Sequence, residues 1–135
     1  MALGKVLRLK HISRAMLQDD RNTLFVFGDN IARVGRGGQA AAMRGEPNAL
    51  GVPTKWRPGR AEADYFTDAD AELVQVRDPI IHAFQLMREA LLAGRNVVIP
   101  ADGLGTGLAD LPRRAPRIHR AIEARITALE EFSAT

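Results

Sequence analysis

Lys55 follows the apolar stretch "LGVPT" (residues 50–54) and stands beside Thr54. A lysine at the end of a short strand can pair with a phosphate, or attack an electrophilic carbon if its amine is deprotonated. Solvation is the ordinary fate of the residue. Asp102 and Asp110 flank a second group of interest, "GLGTG" (103–107), and are placed to act as acid or base. No serine lies in a G-x-S-x-G setting. Cysteine is absent, which excludes a thiol nucleophile, a disulfide and a cysteine-bound zinc. His11, His82 and His119 are scattered without metal-ligand spacing, so no metal and no cofactor is expected. Any chemistry falls to Lys55 and the carboxylates.

Two glycine-rich runs offer a place for a ligand. In the first, Gly35, Gly37 and Gly38 lack side chains, so their N–H groups can approach phosphate oxygens closely. A helix opening near Gly38 would aim its positive end there, and Arg33 and Arg36 can add charged hydrogen bonds. The second run, Gly103, Leu104, Gly105, Thr106 and Gly107, resembles an anion nest between strand and helix. One such run alone would be read as a set of tight turns. Two at one sheet edge favour an extended anion such as a diphosphate. The first run is neither a P-loop nor a dinucleotide fingerprint, because no Gly-Lys-Ser/Thr follows and the glycine spacing is wrong.

Gly28-Asp29-Asn30 ends the first apolar strand. Asn30 can fix a ligand hydroxyl or simply make a turn. Asp29 can read the amino edge of a purine or cap the turn. Gln39 and Thr54 complete the candidate ligand contacts. Trp56, Tyr65 and Phe66 can stack on a base, with packing the more common role.

The elements that must position these residues alternate. Strands are expected over Val6–Leu9 at a sheet edge, Thr23–Phe27, Leu50–Thr54, Leu73–Val76 and Asn96–Pro100. Ser13 caps a short turn to Leu17, and a helix is expected from Gln39 to Arg44. Asp78-Pro79 reads as the start of a helix ended by Gly94, with Ile80, Ile81, Phe84, Met87 and Leu91 on its apolar face. A final helix over 115–132 buries Ile118, Ala121, Ile122, Ile126 and Leu129. This order predicts one α/β domain, a three-layer sandwich with a mixed, mostly parallel sheet. Ligands bind such sheets at the C-terminal strand edge, where both glycine runs fall.

The chain has 135 residues, 46% hydrophobic and 26% charged, with net charge +3 from 19 basic and 16 acidic side chains. That is enough chain for a core. The excess charge suits an anionic ligand and is too small to argue for general nucleic-acid binding through Arg33, Arg36, Arg57 and Arg60. No membrane span or signal peptide is apparent, so a cytoplasmic protein is expected, and the Arg-rich faces point to a monomer.

The strand ending in "FGDN", the segment "GRGGQAAAMR" and the later "NVVIPADGLGTGLADLP" together resemble the macro domain over about residues 23–130. The family's usual "VNAAN" is here "FGDN". The resemblance implies a sheet sandwiched by helices and ADP-ribose as ligand, free or attached to protein or nucleic acid. "VPTK" and "GLAD" are similar to motifs of the terminal ADP-ribose protein glycohydrolase branch. On that resemblance Lys55 would attack the ribose C1″, and Asp110 would assist. The aspartate falls one residue late, which makes Asp102 its rival. The whole chain also resembles an uncharacterised phage and bacterial family with the pattern "FGDN…GGQA…PTK…GLGTGL". Three readings follow: an ADP-ribosyl hydrolase, a non-catalytic reader of ADP-ribose or a related nucleotide, and a nucleic-acid-associated protein.

Overall fold

The computed structural model describes residues 2–135. Four strands, β1 (Val6–Leu9), β2 (Leu24–Asp29), β3 (Ala49–Pro53) and β4 (Val97–Pro100), form one sheet in the order β1-β4-β2-β3. Every pairing is parallel. The expected mixed sheet is therefore corrected to an all-parallel one. An isolated bridge between Lys55 and Tyr65, outside the sheet, is antiparallel.

The strands are apolar on both sides because helices cover both faces. Val26, Val52, Val97 and Ile99 face one way, onto the helices α3 (Val74–Leu92) and α5 (Pro116–Ser133). Phe25, Phe27 and Val98 face the other way, onto α1 (Arg14–Asp19) and α2 (Ala40–Met43). This architecture is α/β and compatible with a sandwich. A last short helix, α4 (Leu111–Arg114), leads into α5. Among the described residues, no helix is long and apolar enough to cross a membrane.

Three local expectations change. Leu73–Val76 is not a strand: Leu73 caps α3, and its carbonyl accepts from the N–H groups of Val76 and Arg77. Pro79 lies inside that helix rather than at its start. Proline there deprives the Gln75 carbonyl of its partner four residues on, but Gln75 is exposed and water can serve it. Val76, buried at the sheet, holds the extra turn in place. Ala121 is exposed, and Ile118, Ile122, Ile126 and Leu129 carry the buried stripe of α5.

The link between α2 and β3 is pinned by polar groups. The buried Asn48 amide donates to the carbonyls of Leu17, Asp20 and Thr23, and its oxygen accepts from Arg21. Glu46 bridges Arg21 at 2.9 Å and Arg14 at 3.1 Å. The Arg21 hydrogen bond, reinforced by Arg14 and opposed by burial, holds the Glu46 carboxyl below its ordinary 4.5. A depressed carboxyl stabilises the fold fully above 4.5 and loses that contribution as pH falls through its folded value. Urea midpoints measured from about pH 6 down to about pH 3 should therefore decline less steeply in Glu46→Gln than in the wild type.

Candidate functional site

The C-terminal ends of β2, β3 and β4 open into a cleft of about 470 Å³. Because the sheet is parallel, all three strands release their following loops on this edge. Both glycine-rich runs line it: Gly35, Gly37 and Gly38 from the first, Gly103, Gly105, Thr106 and Gly107 from the second. Gly28 marks where they meet. A β-carbon there would lie 3.5 Å from the Gly105 nitrogen and 3.6 Å from Thr54 Oγ1. The Leu108 tip bridges the runs from above, 3.1 Å from where a β-carbon on Gly37 would sit.

The backbone of both loops is rich in free donors. Among the described residues, no N–H from Gly35 to Gln39 or from Leu104 to Ala109 has a partner within the protein. Gly35 to Gly38 and Thr106 to Leu108 are exposed, so these groups are open to water or to a ligand. Here two successive runs line one concavity, the arrangement that binds anion oxygens. Positive φ at Gly35, Gly38, Gly103 and Gly105 shapes these turns. The helix dipole adds little, because α2 is a single turn.

Lys55 reaches the wall from the end of β3 and is only 9% exposed. Its Nζ donates to the Gly59 carbonyl at 2.6 Å and lies 4.2 Å from the centre of the Tyr65 ring. Burial lowers its pKa from the ordinary 10.5. Asp64 opposes that shift, while the positive charges of Arg114 and Arg60 reinforce it. Of the two arginines close to Lys55 in sequence, Arg57 and Arg60, only Arg60 adds to the shift. Arg57 pairs instead with Asp64, and Arg114, 3.7 Å from the Tyr65 ring, takes its place.

The expected carboxylates are elsewhere. Asp102 is exposed and does not line the cleft. Asp110 also stays off the wall, in a left-handed conformation ahead of α4, where Arg113 at 2.6 Å and Arg114 at 3.5 Å hold it. The attraction of the two following arginines fixes it there. Arg36 is exposed and off the wall, and Leu104 is fully buried, an anchor of the second loop in the core.

Asp29 lines the cleft but is already engaged. Its carboxylate accepts from Arg33, from two nitrogens of Arg44 and from the Asn30 N–H. Those bonds fill its acceptor positions, so purine recognition by this side chain is not available. The Asn30 amide is likewise turned inward, onto Val34. Both side chains take the turn-holding alternative. Arg44 was the missing partner. It sits fifteen residues from Asp29, packs over Phe27 at 5.6 Å and also binds the Gly35 carbonyl. Only the fold brings it there. Asp29→Asn is expected to lower stability by about 3 kcal/mol in urea unfolding, since it leaves Arg44 poorly paired.

Trp56 and Phe66 pack edge to face at 5.3 Å, and Trp56 Nε1 donates to Asp70. Phe66 is fully buried, so Tyr65 is the one of the three aromatics that lines the cleft. No cluster of potential metal ligands occurs among the described residues.

No curated protein and no solved structure matches the chain. Residues 7–125 match the model of a family described as "Family of unknown function (DUF7831)", a span that covers all of the sheet but Val6, both glycine-rich loops and Lys55. The chain belongs to that family.

Proposed function

We propose that the cleft binds ADP-ribose or a related nucleotide diphosphate, and that Lys55 acts on the ribose in removing an ADP-ribosyl group. The observation that carries this is the pair of facing loops with unpartnered N–H groups, from Gly35 to Gln39 and from Leu104 to Ala109. Diphosphate oxygens fit such donors, and the buried Lys55 amine stands on the same wall. The macro-domain resemblance of the sequence supports the choice of ligand.

The departing group follows from what the wall lacks. Asp102 and Asp110 do not line the cleft, and Asp29 is occupied by Arg33 and Arg44. A leaving group that needs no proton is therefore favoured. A carboxylate in ester linkage meets that need better than a nucleobase nitrogen. The neutral Lys55 amine adds at C1″ and loses a proton to water, while the carboxylate leaves with the bonding electrons. Water then breaks the C–N bond and restores the amine.

A second reading, binding without chemistry, is favoured by the same displacement of Asp102 and Asp110. Calorimetry with ADP-ribose, ADP and NAD tests what the two readings share. ADP-ribose should bind, and Gly37→Glu should abolish the heat while the circular dichroism stays native. Gly37 is the better position for this than Gly38, whose φ of 56° strains any side chain. No heat with any of the three nucleotides would remove both readings.

A further inference from the structure

The cleft has a neighbour. A second hollow of about 580 Å³ lies beside it, over the ends of β1 and β4, and the two share Gly38 and Gln39 as their dividing wall. Pro100, the last residue of β4, and Lys10, the first beyond β1, both line it. The parallel sheet thus carries the two hollows side by side along one edge.

The wall between them is low and polar. Gly38 has no side chain. Gln39 Oε1 accepts from the Gly28 N–H at 3.0 Å, which fixes the amide orientation because its nitrogen cannot accept. The Gln39 NH₂ has no partner among the described residues. A donor pair is therefore held ready where the hollows join.

The second hollow is cationic over an apolar floor. Lys10 and His11 line it, and neither makes a hydrogen bond or ion pair among the described residues. Ile12, Met16 and Met43 form the floor, and no carboxylate lines the hollow. The nearest acid in sequence to the wall, Glu46, is spent on Arg14 and Arg21.

We infer that this hollow is a second anion subsite of the same site, taking a phosphate carried by the ligand beyond its diphosphate, with Lys10 as counter-charge, the His11 ring N–H as a donor and the Gln39 NH₂ as the link. The inference rests on the anion-binding reading of the main cleft, shares Gly38 and Gln39 with it, and adds Lys10 and His11. Its ligand is a nucleotide diphosphate bearing one further phosphate.

The test is a titration with inorganic phosphate followed by NMR on the His11 ring and the Gly38 amide, with and without saturating ADP-ribose. Saturable shifts at both are expected. They should persist when ADP-ribose fills the main cleft; the His11 ring shift should vanish in Lys10→Ala, and the Gly38 shift seen with the main cleft filled should vanish in the Lys10→Ala, His11→Ala double variant. Absence of saturable shifts, or shifts unchanged in that variant, overturns the inference. If phosphate titrates His11 while ADP-ribose gives no heat, the subsite stands and the nucleotide reading of the main cleft falls. The phosphate's source is then separated by two probes. ADP-ribose 2′-phosphate should bind roughly tenfold more tightly than ADP-ribose, a gain the double variant loses. If a short oligothymidylate shows the gain instead, the subsite takes a strand phosphodiester and the ligand-borne phosphate is overturned.

Discussion

Gly105→Ala should lower the melting temperature by roughly 10 °C, while Gly107→Ala, two residues on, leaves it within about 2 °C. The contrast follows from local geometry. Gly105 has φ of 78°, and a β-carbon there would sit 2.4 Å from Leu111 Cδ1 and 3.1 Å from Thr54 Cγ2. Leu111 is fully buried and cannot swing aside. The left-handed backbone costs a residue with a side chain about 1–2 kcal/mol, and the overlap adds about 1–3 kcal/mol. At Gly107 a β-carbon meets nothing within 4 Å, and φ is not in the left-handed range. Thermal melts of the two variants decide the matter. Equal melting temperatures would mean that the second loop is not held against Leu111 and Thr54 as described. The same contact joins stability to binding, since Gly105 meets Gly28 where the two loops converge.

Lys55→Ala is expected to reduce ADP-ribosyl hydrolysis at least a hundredfold, with ADP-ribose affinity changing by less than about tenfold. Lys55→Arg separates a nucleophile from a phosphate partner. A guanidinium keeps the charge but stays protonated, so it rescues a merely electrostatic role and not covalent attack. Reduction by cyanoborohydride in the presence of ADP-ribose gives a direct mark. The aldehyde of the open ribose forms an imine with a neutral amine, loses water and takes up hydride. Mass spectrometry should find the adduct on Lys55 in preference to Lys5 and Lys10, the only other lysines in the chain. The lowered pKa supports this, because burial with Arg114 and Arg60 enlarges the neutral fraction at a given pH. Turnover unchanged in Lys55→Ala would remove Lys55 from the chemistry, whereas ADP-ribose binding with no turnover in the wild type would leave the binding-only reading standing. Asp110→Asn should keep turnover within about threefold of wild type, because the carboxylate is off the cleft wall.

Much of the scaffold was legible along the chain, because its causes are local. Buried parallel strands are apolar on both faces, so "LFVF" and "VVIP" declare themselves. Ser13 announces α1 because its side chain accepts the Met16 N–H. The start of α3 was misplaced for an equally physical reason. Asp78-Pro79 is a strong local signal, yet burial of Val76 extends the helix ahead of it. Tertiary burial outweighed one backbone bond lost at Pro79.

The site divides along the same line. By itself the sequence determined the donors: glycines where the backbone must be bare, at the ends of strands that can only be buried, and a lysine at the end of a third. Those properties depend on residue type and on neighbours a few positions away. Only the tertiary structure decided which charges face the cleft. Arg44 grips Asp29 across fifteen residues, and Arg114 faces Tyr65 across forty-nine. Asp102 and Asp110 flank the second loop in sequence but stand off the wall in space. Charge pairing acts through distance in three dimensions and leaves no periodic trace along the chain. The sequence could therefore name the cradle, but only the fold could say which acids and bases stand beside it.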